Sequence, residues 1–236
     1  MKKLDLDDPS YANLLSSYKG LFDHVIDLMH LQVFSPEEYI VREQEEVASL
    51  RFLLLGKAKI AMIHEDGNRS IIHFVKPGEF IGELSFIGIE TKPKDVIAIN
   101  ECVCLAIPMS QAKESLLRDP DFLLLINQYI GKKLLKRTWL NTKSRNYELK
   151  NRLAAYILMA ECDGYYKEKH TETAEYLSIS YRHLLHTLKS FLDKGLLVKE
   201  GRRYRINKIE LESLAKDIND WYLSVVDKQK AKIQNR

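Results

Sequence analysis

The stretch HTETAEYLSISYRHLLHTLKSFLDKGLLVKEGRRYRI, residues 170–206, decides the fold of the C-terminal part of the chain. Thr171 is placed to cap a short helix that ends at Leu177, because its hydroxyl can accept a hydrogen bond from a free N–H of the first turn. Ser180 is placed to cap a second helix over about residues 181–194 in the same way. Two helices joined by so tight a turn predict a helix-turn-helix.

The second helix of this motif has two chemically different faces. Its apolar residues recur at helical spacing and predict a buried stripe made of Leu184, Leu185, Leu188, Phe191 and Leu192. The other face carries hydrogen-bonding or cationic groups, namely Tyr181, Arg182, His186 and Lys189, with His183 near the boundary. Such groups near a helix N-terminus are typical of a recognition helix that meets base edges and phosphates in the major groove. A merely solvated helix face is the alternative.

The segment LLVKEGRRYRI, residues 196–206, predicts a β-hairpin after the second helix. Gly195 suits the left-handed backbone conformation that ends a helix, and two strand-like runs then flank Glu200-Gly201. The cations of the hairpin, Arg202 and Arg203 among them, can reach phosphates beside the groove. These features together predict a winged helix-turn-helix that binds double-stranded DNA.

From about Val33 to Ile107 the chain consists of short apolar runs separated by turn residues. These runs predict strands at residues 39–41, 51–55, 58–64, 70–75, 95–100 and 102–107. Asp66-Gly67 lies between two of them and indicates a hairpin, because glycine accepts a positive φ without penalty. Six or more short strands at this spacing predict an antiparallel sandwich, roll or barrel.

After Pro108 the apolar period changes from two residues to about three and a half. Asp119 is placed as a cap and Pro120 as the first residue of a helix. The apolar seam of this helix consists of Leu123, Ile126, Ile130 and Leu134. Such a seam favours pairing with a second copy of the chain, and Gly131 would permit a close approach of the two backbones. Packing of the helix on its own strand domain is the alternative.

The segment GEFIGELSFIGIETKPKDVI, residues 78–97, begins like a phosphate cradle. A tight turn with Gly78 and Gly82, followed at once by Glu83, leads from a strand into a helix whose free N–H groups can face an anion. The pattern then breaks at Lys92-Pro93-Lys94.

The order of strand roll, GEFIGEL turn, long helix and winged helix-turn-helix resembles the family of the cyclic-AMP receptor protein and the fumarate-nitrate reduction regulator (CRP/FNR), from about Val33 to Ile206. The segments NRLAAYIL and HTETAEYLSISYRHLLHTL resemble its YeiL-type branch more specifically. The resemblance implies an α+β fold: a jelly-roll type antiparallel β-roll, similar to a cyclic-nucleotide-binding domain, at residues 1–118, a dimerisation helix and hinge at 119–146, and a winged helix-turn-helix with an extra C-terminal helix at 147–236.

The resemblance also implies a homodimer whose recognition helices each enter one half-site of a near-palindromic operator, with RNA polymerase as a further partner. The positions that face bases would be Ser180, Tyr181, Arg182 and His186. Arg182 is the first choice for reading a guanine, because its fork can bond O6 and N7 together. Past the hairpin, a seam resembles the C-terminal helix of the virulence-regulator branch typified by positive regulatory factor A; it consists of Leu211, Leu214, Ile218, Trp221 and Val225.

In the family's nucleotide binders, the resemblance implies, the cradle holds the cyclic phosphate and its glutamate the ribose. Where such proteins place Arg-Ser, this chain has Lys92-Pro93 or Pro93-Lys94. Lysine offers a point charge in place of a planar fork, and proline lacks a backbone donor, so we expect that cyclic AMP is not the effector. Candidate positions for another small effector are Gly82, Glu83, Lys92, Lys94 and Thr138. For Glu83 the alternative is a structural role at a helix N-terminus.

The cysteines and histidines indicate no cofactor. Cys102, Cys104 and Cys162 form no CxxC pair, and the first hundred residues contain no cysteine, so an iron–sulfur cluster is not expected. Alternation places Cys102 and Cys104 on one strand face, where buried neutral thiols are the default. His64 and His73 lack an H-x-H pair and are interpreted as ordinary strand histidines, so no metal site is expected.

Composition bounds the remaining possibilities. The net charge of +3 does not indicate a nucleic-acid partner by itself. No apolar run approaches the roughly 18 residues that cross a bilayer, and the N-terminus is acidic, so we expect a cytoplasmic protein without a membrane partner. Two alternatives to an effector-controlled regulator stay open: a DNA-binding regulator with a purely structural roll, and, more remotely, a cupin-like metalloenzyme. The latter would need converging metal ligands, so no enzymatic activity is expected.

Overall fold

The computed structural model divides the chain into two compact units, Met1–Asn127 and Gln128–Arg236. The residues that it describes are 1–8, 11, 14, 23–63, 67, 69–144, 147–216 and 218. The first unit is a roll of strands with short helices, and the second combines helices with a small sheet, which confirms the α+β class. None of the helices in these ranges combines the length and apolarity that a membrane span requires.

The described part of the first unit contains nine strands in two antiparallel sheets. They are Lys2–Leu4 (β1), His30–Phe34 (β2), Tyr39–Val41 (β3), Ser49–Leu55 (β4), Ala58–Ile63 (β5), Arg69–Val75 (β6), Phe80–Ile81 (β7), Asp95–Ala98 (β8) and Cys102–Pro108 (β9). One sheet has the order β1-β2-β9-β4-β7 and the other the order β3-β8-β5-β6. Apolar side chains from both sheets, including Phe34, Leu53 and Val96, form one core. The predicted antiparallel roll is therefore confirmed.

All six predicted strands are present, but β1, β2 and β7 have no counterpart in the prediction. β5 and β6 pair from Ala58 with Val75 to Ile63 with Arg69, so the predicted hairpin exists; Asp66 lies outside the described residues. The strand β2 pairs with β9, which lies far along the chain. Strand pairing of this kind depends on non-local packing, and short local patterns carry little signal for it.

The described residues of the first unit also form a 3₁₀ helix, Asp23–Leu28, and two short α-helices, Glu83–Phe86 (α1) and Met109–Leu117 (α2). A long α-helix, Pro120–Ser144 (α3), begins in this unit. Asp119 caps α3 as predicted, since its Oδ1 accepts hydrogen bonds from the N–H groups of Asp121 at 2.9 Å and Phe122 at 3.1 Å. The Phe122 ring is buried and meets the ring of Phe86 edge-on at 5.7 Å between centroids. The first turn of α3 is therefore anchored on α1.

The predicted apolar seam of α3 does not form one continuous exposed stripe. Ile126 is buried, whereas Leu134 is 63% exposed and the adjacent Leu135 is 64% exposed. Leu124 is also exposed. The first turns of α3 thus pack on their own domain through Phe122 and Ile126, which follows the alternative interpretation, whereas the exposed leucines remain open to another partner.

The second unit begins with the remainder of α3 and continues as the winged helix-turn-helix that the sequence predicts. Its further elements are Leu149–Ala160 (α4), Tyr165–Tyr166 (β10), His170–Tyr176 (α5), Tyr181–Asp193 (α6), Leu197–Glu200 (β11) and Arg203–Ile206 (β12). The strands form an antiparallel sheet in the order β10-β12-β11. Tyr156 of α4 is fully buried, and its ring centroid lies 4.7 Å from that of Tyr176 and 6.2 Å from that of Tyr166.

A further helix follows the hairpin, as predicted, and is described at residues 208–216 and at 218. Leu211 is buried, and the carbonyl of Leu214 accepts a hydrogen bond from Nδ2 of Asn151 at 2.9 Å. This bond ties the C-terminal helix to α4. Trp221 and Val225 of the predicted seam lie outside the described residues.

Candidate nucleic-acid interface

The helix α6 begins where the sequence predicts it to begin. Ser180 has an extended backbone with φ −69° and ψ 147°, and its Oγ accepts a hydrogen bond from the N–H of His183 at 3.2 Å. Ser180 is therefore the N-cap. At the other end Gly195 has φ +70°, the left-handed conformation predicted for the residue that stops the helix.

The start of α5 differs from the prediction. The N-cap position is Lys169, whose side chain makes no capping hydrogen bond, so the assignment of Thr171 as the cap is wrong. Thr173 instead donates its hydroxyl to the carbonyl of Lys169 at 3.0 Å, and its Oγ1 lies 2.6 Å from the Tyr166 hydroxyl. The Thr173 bond joins a hydroxyl to the carbonyl four residues earlier and does not replace a cap. Thr171 is not the cap because α5 begins at His170, one residue before it.

The outward face of α6 carries the predicted DNA-binding groups. Arg182, His186 and Lys189 follow one another at helical spacing and are exposed. Tyr181 is 49% exposed, and His183 is exposed next to the cap. Arg182, His186 and Lys189 form no side-chain bond with any other residue that the structure describes. Three polar heads on one helix face are thus available to an external partner.

The inward face of α6 is narrower than the sequence suggests. Its fully buried apolar residues are Leu184, Leu188 and Phe191. The prediction that Leu185 belongs to this stripe is wrong, because its side chain is 40% exposed. Each residue turns the helix by about 100°, so the side chain of Leu185 points to a different side from that of Leu184. Thr187 and Leu188, three and four positions after Leu184, return to the buried side. Leu192 is half-buried at the edge.

The turn between α5 and α6 is fixed to α4. The carbonyl of Leu177 accepts a hydrogen bond from the guanidinium of Arg152, and the N–H of Ile179 bonds to the carbonyl of Ala174 at 2.9 Å. Ser178 between them has φ +53°, a conformation that non-glycine residues seldom adopt. The hydrogen bond from Arg152 joins this turn to α4.

The hairpin that forms the wing brings its cations into different environments. The guanidinium of Arg203 lies 3.7 Å from the ring centroid of Tyr165, a cation–π contact. Nε of Arg205 donates to Glu200 at 2.8 Å, and this hydrogen bond lowers the pKa of the Glu200 carboxyl. Arg202, beside the turn at Gly201, is exposed. The sequence shows four cations in this region, and of the three arginines only Arg202 has no contact with another side chain among the described residues.

A histidine and two tyrosines connect the wing to the start of α6. The ring centroid of His170 lies 6.4 Å from that of Tyr181 and 5.8 Å from that of Tyr204 on β12. Burial and then the nearby Lys199 lower the pKa of His170, so its neutral form is favoured. Sequence reasoning missed His170 and Tyr204. Ring side chains at the first position of both helices could have suggested the contact of His170 with Tyr181, whereas the contact with Tyr204 depends on how the hairpin packs.

The cradle in the roll keeps its backbone turn. Gly82 has φ +87°, and a Cβ placed there would lie 2.8 Å from Cγ1 of Val47, so both conformation and space require glycine. Glu83 follows at the first turn of α1 and is buried. These two predicted effector residues are adjacent by sequence and lie at the junction of β7 with α1.

The remaining predicted effector residues are differently placed. Lys92 is exposed, Pro93 is buried, and Lys94 is half-buried with its ammonium donating to the carbonyl of Lys92 at 3.4 Å. The next residue, Asp95, accepts a hydrogen bond from the N–H of Glu43 at 3.0 Å. Thr138 is exposed on the part of α3 that belongs to the second unit.

The thiols and the strand histidine have local partners. Cys102 and Cys104 are buried on β9 as predicted, and burial raises the pKa of the Cys104 thiol, so the neutral form dominates. Sγ of Cys102 donates to the carbonyl of Lys57 at 3.2 Å, and Nε2 of His73 lies 3.3 Å from a Glu79 carboxylate oxygen. Among the described residues no group of three or more potential ligands is arranged to hold a metal; His64 is outside them.

Comparisons with known proteins agree with this architecture. Residues 31–119 match the cyclic nucleotide-binding domain family. Regulatory protein YeiL of Escherichia coli O157:H7 is 38% identical over 187 residues, which is 79% of this chain and 85% of that protein. A CRP-family transcriptional regulator from Thermus thermophilus superposes with a TM-score of 0.61 at 20% identity, covering 78% of this chain and 96% of that one.

A second solved structure extends the match. A protein of the CRP/FNR family from Eubacterium rectale gives a TM-score of 0.66 at 16% identity and covers 88% of this chain and 98% of its own. At such identities these two structures support the fold, while the match to YeiL carries the relationship. The chain belongs to the CRP/FNR family of transcription regulators.

Proposed function

We propose that the chain is a homodimeric, sequence-specific DNA-binding transcription regulator whose helix α6 enters the major groove of a near-palindromic operator. The observation that carries the proposal is the outward face of α6. Arg182, His186 and Lys189 are exposed on this face, and Ser180 caps the N-terminus of the helix. A recognition helix reads base edges with residues near its N-terminus, while cations farther along meet phosphates.

Each predicted residue has a distinct role in this proposal. Arg182 bonds O6 and N7 of a guanine through its fork, and Tyr181 and His186 contact the same half-site on either side of it. Lys189 neutralises a phosphate farther along the helix. Ser180 faces the bases of the same half-site from the start of the helix, and His183 lies beside it in the first turn.

Selection of binding sites from a random duplex pool tests the proposal with the full-length protein. The expected product is a near-palindrome whose half-site centres lie about one helical turn apart, roughly 34 Å, because two recognition helices related by a dyad must face the same side of DNA. Enrichment of no sequence, or of one without two-fold symmetry, would contradict it. Stoichiometry of two chains per duplex is the second readout.

The wing provides a prediction with an internal control. Replacing Arg202 by alanine is expected to weaken DNA binding uniformly across sequences and to reduce the slope of log K against log salt by about one for each wing, because one phosphate contact is lost. Arg205→Ala is expected to change the slope less, since Arg205 is already paired with Glu200. Titrations of labelled operator at several salt concentrations give both slopes. Equal changes for the two variants would overturn this assignment.

The later part of α3 supports self-association. Leu134 and Leu135 are exposed there, and exposed apolar side chains on a helix favour burial against another helix. The proposed partner is α3 of a second copy. The family relationship further supports RNA polymerase as the protein that the DNA-bound dimer contacts.

The effector proposal rests on the altered cradle. Pro93 is buried and Lys92 is exposed, so the segment that would supply an arginine fork and a hydroxyl supplies neither. We therefore propose control by a small molecule other than cyclic AMP, acting through differential affinity for two arrangements of the dimer. The same observation favours a second candidate, a regulator whose roll is purely structural and which needs no effector.

Thermal unfolding of the purified protein separates the two candidates. Cyclic AMP at millimolar concentration is expected to leave the unfolding temperature unchanged, whereas a true effector raises it because it binds only the folded state. A shift with cyclic AMP would contradict the altered-cradle argument. A compound that raises the unfolding temperature and also changes operator affinity supports control by an effector. Full operator affinity without any added compound supports the structural roll.

A further inference from the structure

Leu185 occupies an unusual place among the apolar residues of α6. The three apolar residues of the inward face are at most 2% exposed. Leu185 is 40% exposed and lies on the face that carries Arg182 and His186. An exposed leucine elsewhere on a protein surface needs no explanation. Here it lies among the polar groups that the proposed function assigns to DNA, where each position faces the groove.

The immediate neighbours of Leu185 favour a polyanionic partner with a small apolar feature. Tyr181 precedes it by one helical turn and is also exposed, so the two side chains lie side by side. Arg182, His186 and Lys189 lie along one side of this apolar pair and place hydrogen-bonding and cationic groups next to it. An apolar protein partner would have to desolvate those heads, whereas the phosphates of a duplex would compensate them.

The major groove presents one kind of apolar group. Adenine, guanine and cytosine offer hydrogen-bond donors and acceptors there, while thymine adds its C5-methyl group. We propose that Leu185 is a specificity-determining residue that contacts the C5-methyl of a thymine in each half-site of the operator. This inference rests on the proposed function and adds a base identity that the polar residues of α6 do not read.

The helix geometry limits where that thymine lies. Leu185 follows Arg182 by three residues, which is about 4.5 Å along the helix axis and about 60° around it. Both side chains can therefore face the floor of the same groove but meet different bases. With base pairs spaced about 3.4 Å apart, the thymine is expected within about two base pairs of the guanine assigned to Arg182.

The test removes only the methyl group from the DNA. In the selected operator, each thymine is replaced in turn by deoxyuridine, which keeps every hydrogen-bonding group, and affinity is measured with the full-length protein. For the unaltered protein we expect one thymine per half-site at which the replacement weakens binding about fourfold, since one buried methyl group is lost. The Leu185→Ala variant is expected to bind the thymine and deoxyuridine operators equally.

Two further variants serve as controls. Val198→Ala removes an apolar side chain of matched exposure, 43%, from the wing strand β11, and it is expected to keep the discrimination. Leu185→Met retains an apolar contact and is expected to keep most of it. Because residue 185 is on the surface, the alanine variant should unfold at nearly the temperature of the parent.

The outcomes separate this inference from the proposed function. Discrimination that is lost in Leu185→Ala and kept in Val198→Ala supports the inference. A selected near-palindrome at which no thymine is sensitive to deoxyuridine, or at which Leu185→Ala retains full sensitivity, overturns the inference and leaves the proposed function standing. Selection of no DNA sequence at all refutes both.

Discussion

Arg182→Ala is expected to bind the parent operator with a free energy of binding about 1–3 kcal/mol less favourable, and to accept other bases at one position of each half-site. The guanidinium is exposed at the second residue of α6 and has no bonded partner in the described part of the chain, so the fork is available for a guanine. Site selection with the variant, beside direct titration, measures both effects. An unchanged consensus would refute the assignment of Arg182 to a base.

Lys189→Ala is the matched control for this prediction. Both residues are cations on the same face of α6, but Lys189 lies two turns farther from the N-terminus. We expect its loss to weaken binding to all sequences alike and to reduce the salt dependence without altering the consensus, because a phosphate contact carries no base information. If both variants behaved alike, the separation of base and phosphate roles along α6 would be wrong.

Replacing Leu134 and Leu135 together by lysine is expected to give a monomer and to weaken binding to the complete operator more than about a hundredfold. Two linked half-site contacts gain a factor of about 10²–10⁴ over a single one, and separating the protomers forfeits it. The side chains are 63% and 64% exposed within one chain, so the substitutions leave the fold of that chain intact. Sedimentation equilibrium and operator titration test the two halves of this prediction.

Ile89→Lys controls for the added charge, because Ile89 is an exposed apolar residue of the first unit, 73% exposed, and lies outside α3. It is expected to stay dimeric and to bind the complete operator normally. The leucine variant should bind an isolated half-site as well as the parent does. A leucine variant that remained dimeric would show that α3 is not the self-association surface.

The local signals in the sequence predicted much of the second unit. Ser180 and Asp119 cap their helices as expected because a cap requires only one side chain and the next few N–H groups. Gly195 stops α6 for an equally local reason, its positive φ. Thr171 failed as a cap because α5 already begins at His170, which makes Lys169 the N-cap residue and places Thr171 inside the first turn.

Residue exposure in α6 and α3 could not be predicted in the same way. Leu185 is an apolar residue of the kind found in cores, yet its side chain is exposed. Whether it is covered depends on which other elements pack against α6. Ile126 has the spacing of a dimer seam and is nevertheless buried within its own chain. Helical periodicity states which residues share a face, but not what covers that face.

The sequence by itself determined the order of roll, long helix and winged helix-turn-helix, together with the polar face of α6 and the altered Lys92-Pro93-Lys94 segment. These features depend on local spacing, backbone preference and residue chemistry. The tertiary structure decided the pairing of β2 with β9, the placement of Pro93 inside and Lys92 outside, and the stacking of Arg203 on Tyr165. These depend on contacts between residues far apart in the chain, whose packing no local pattern encodes.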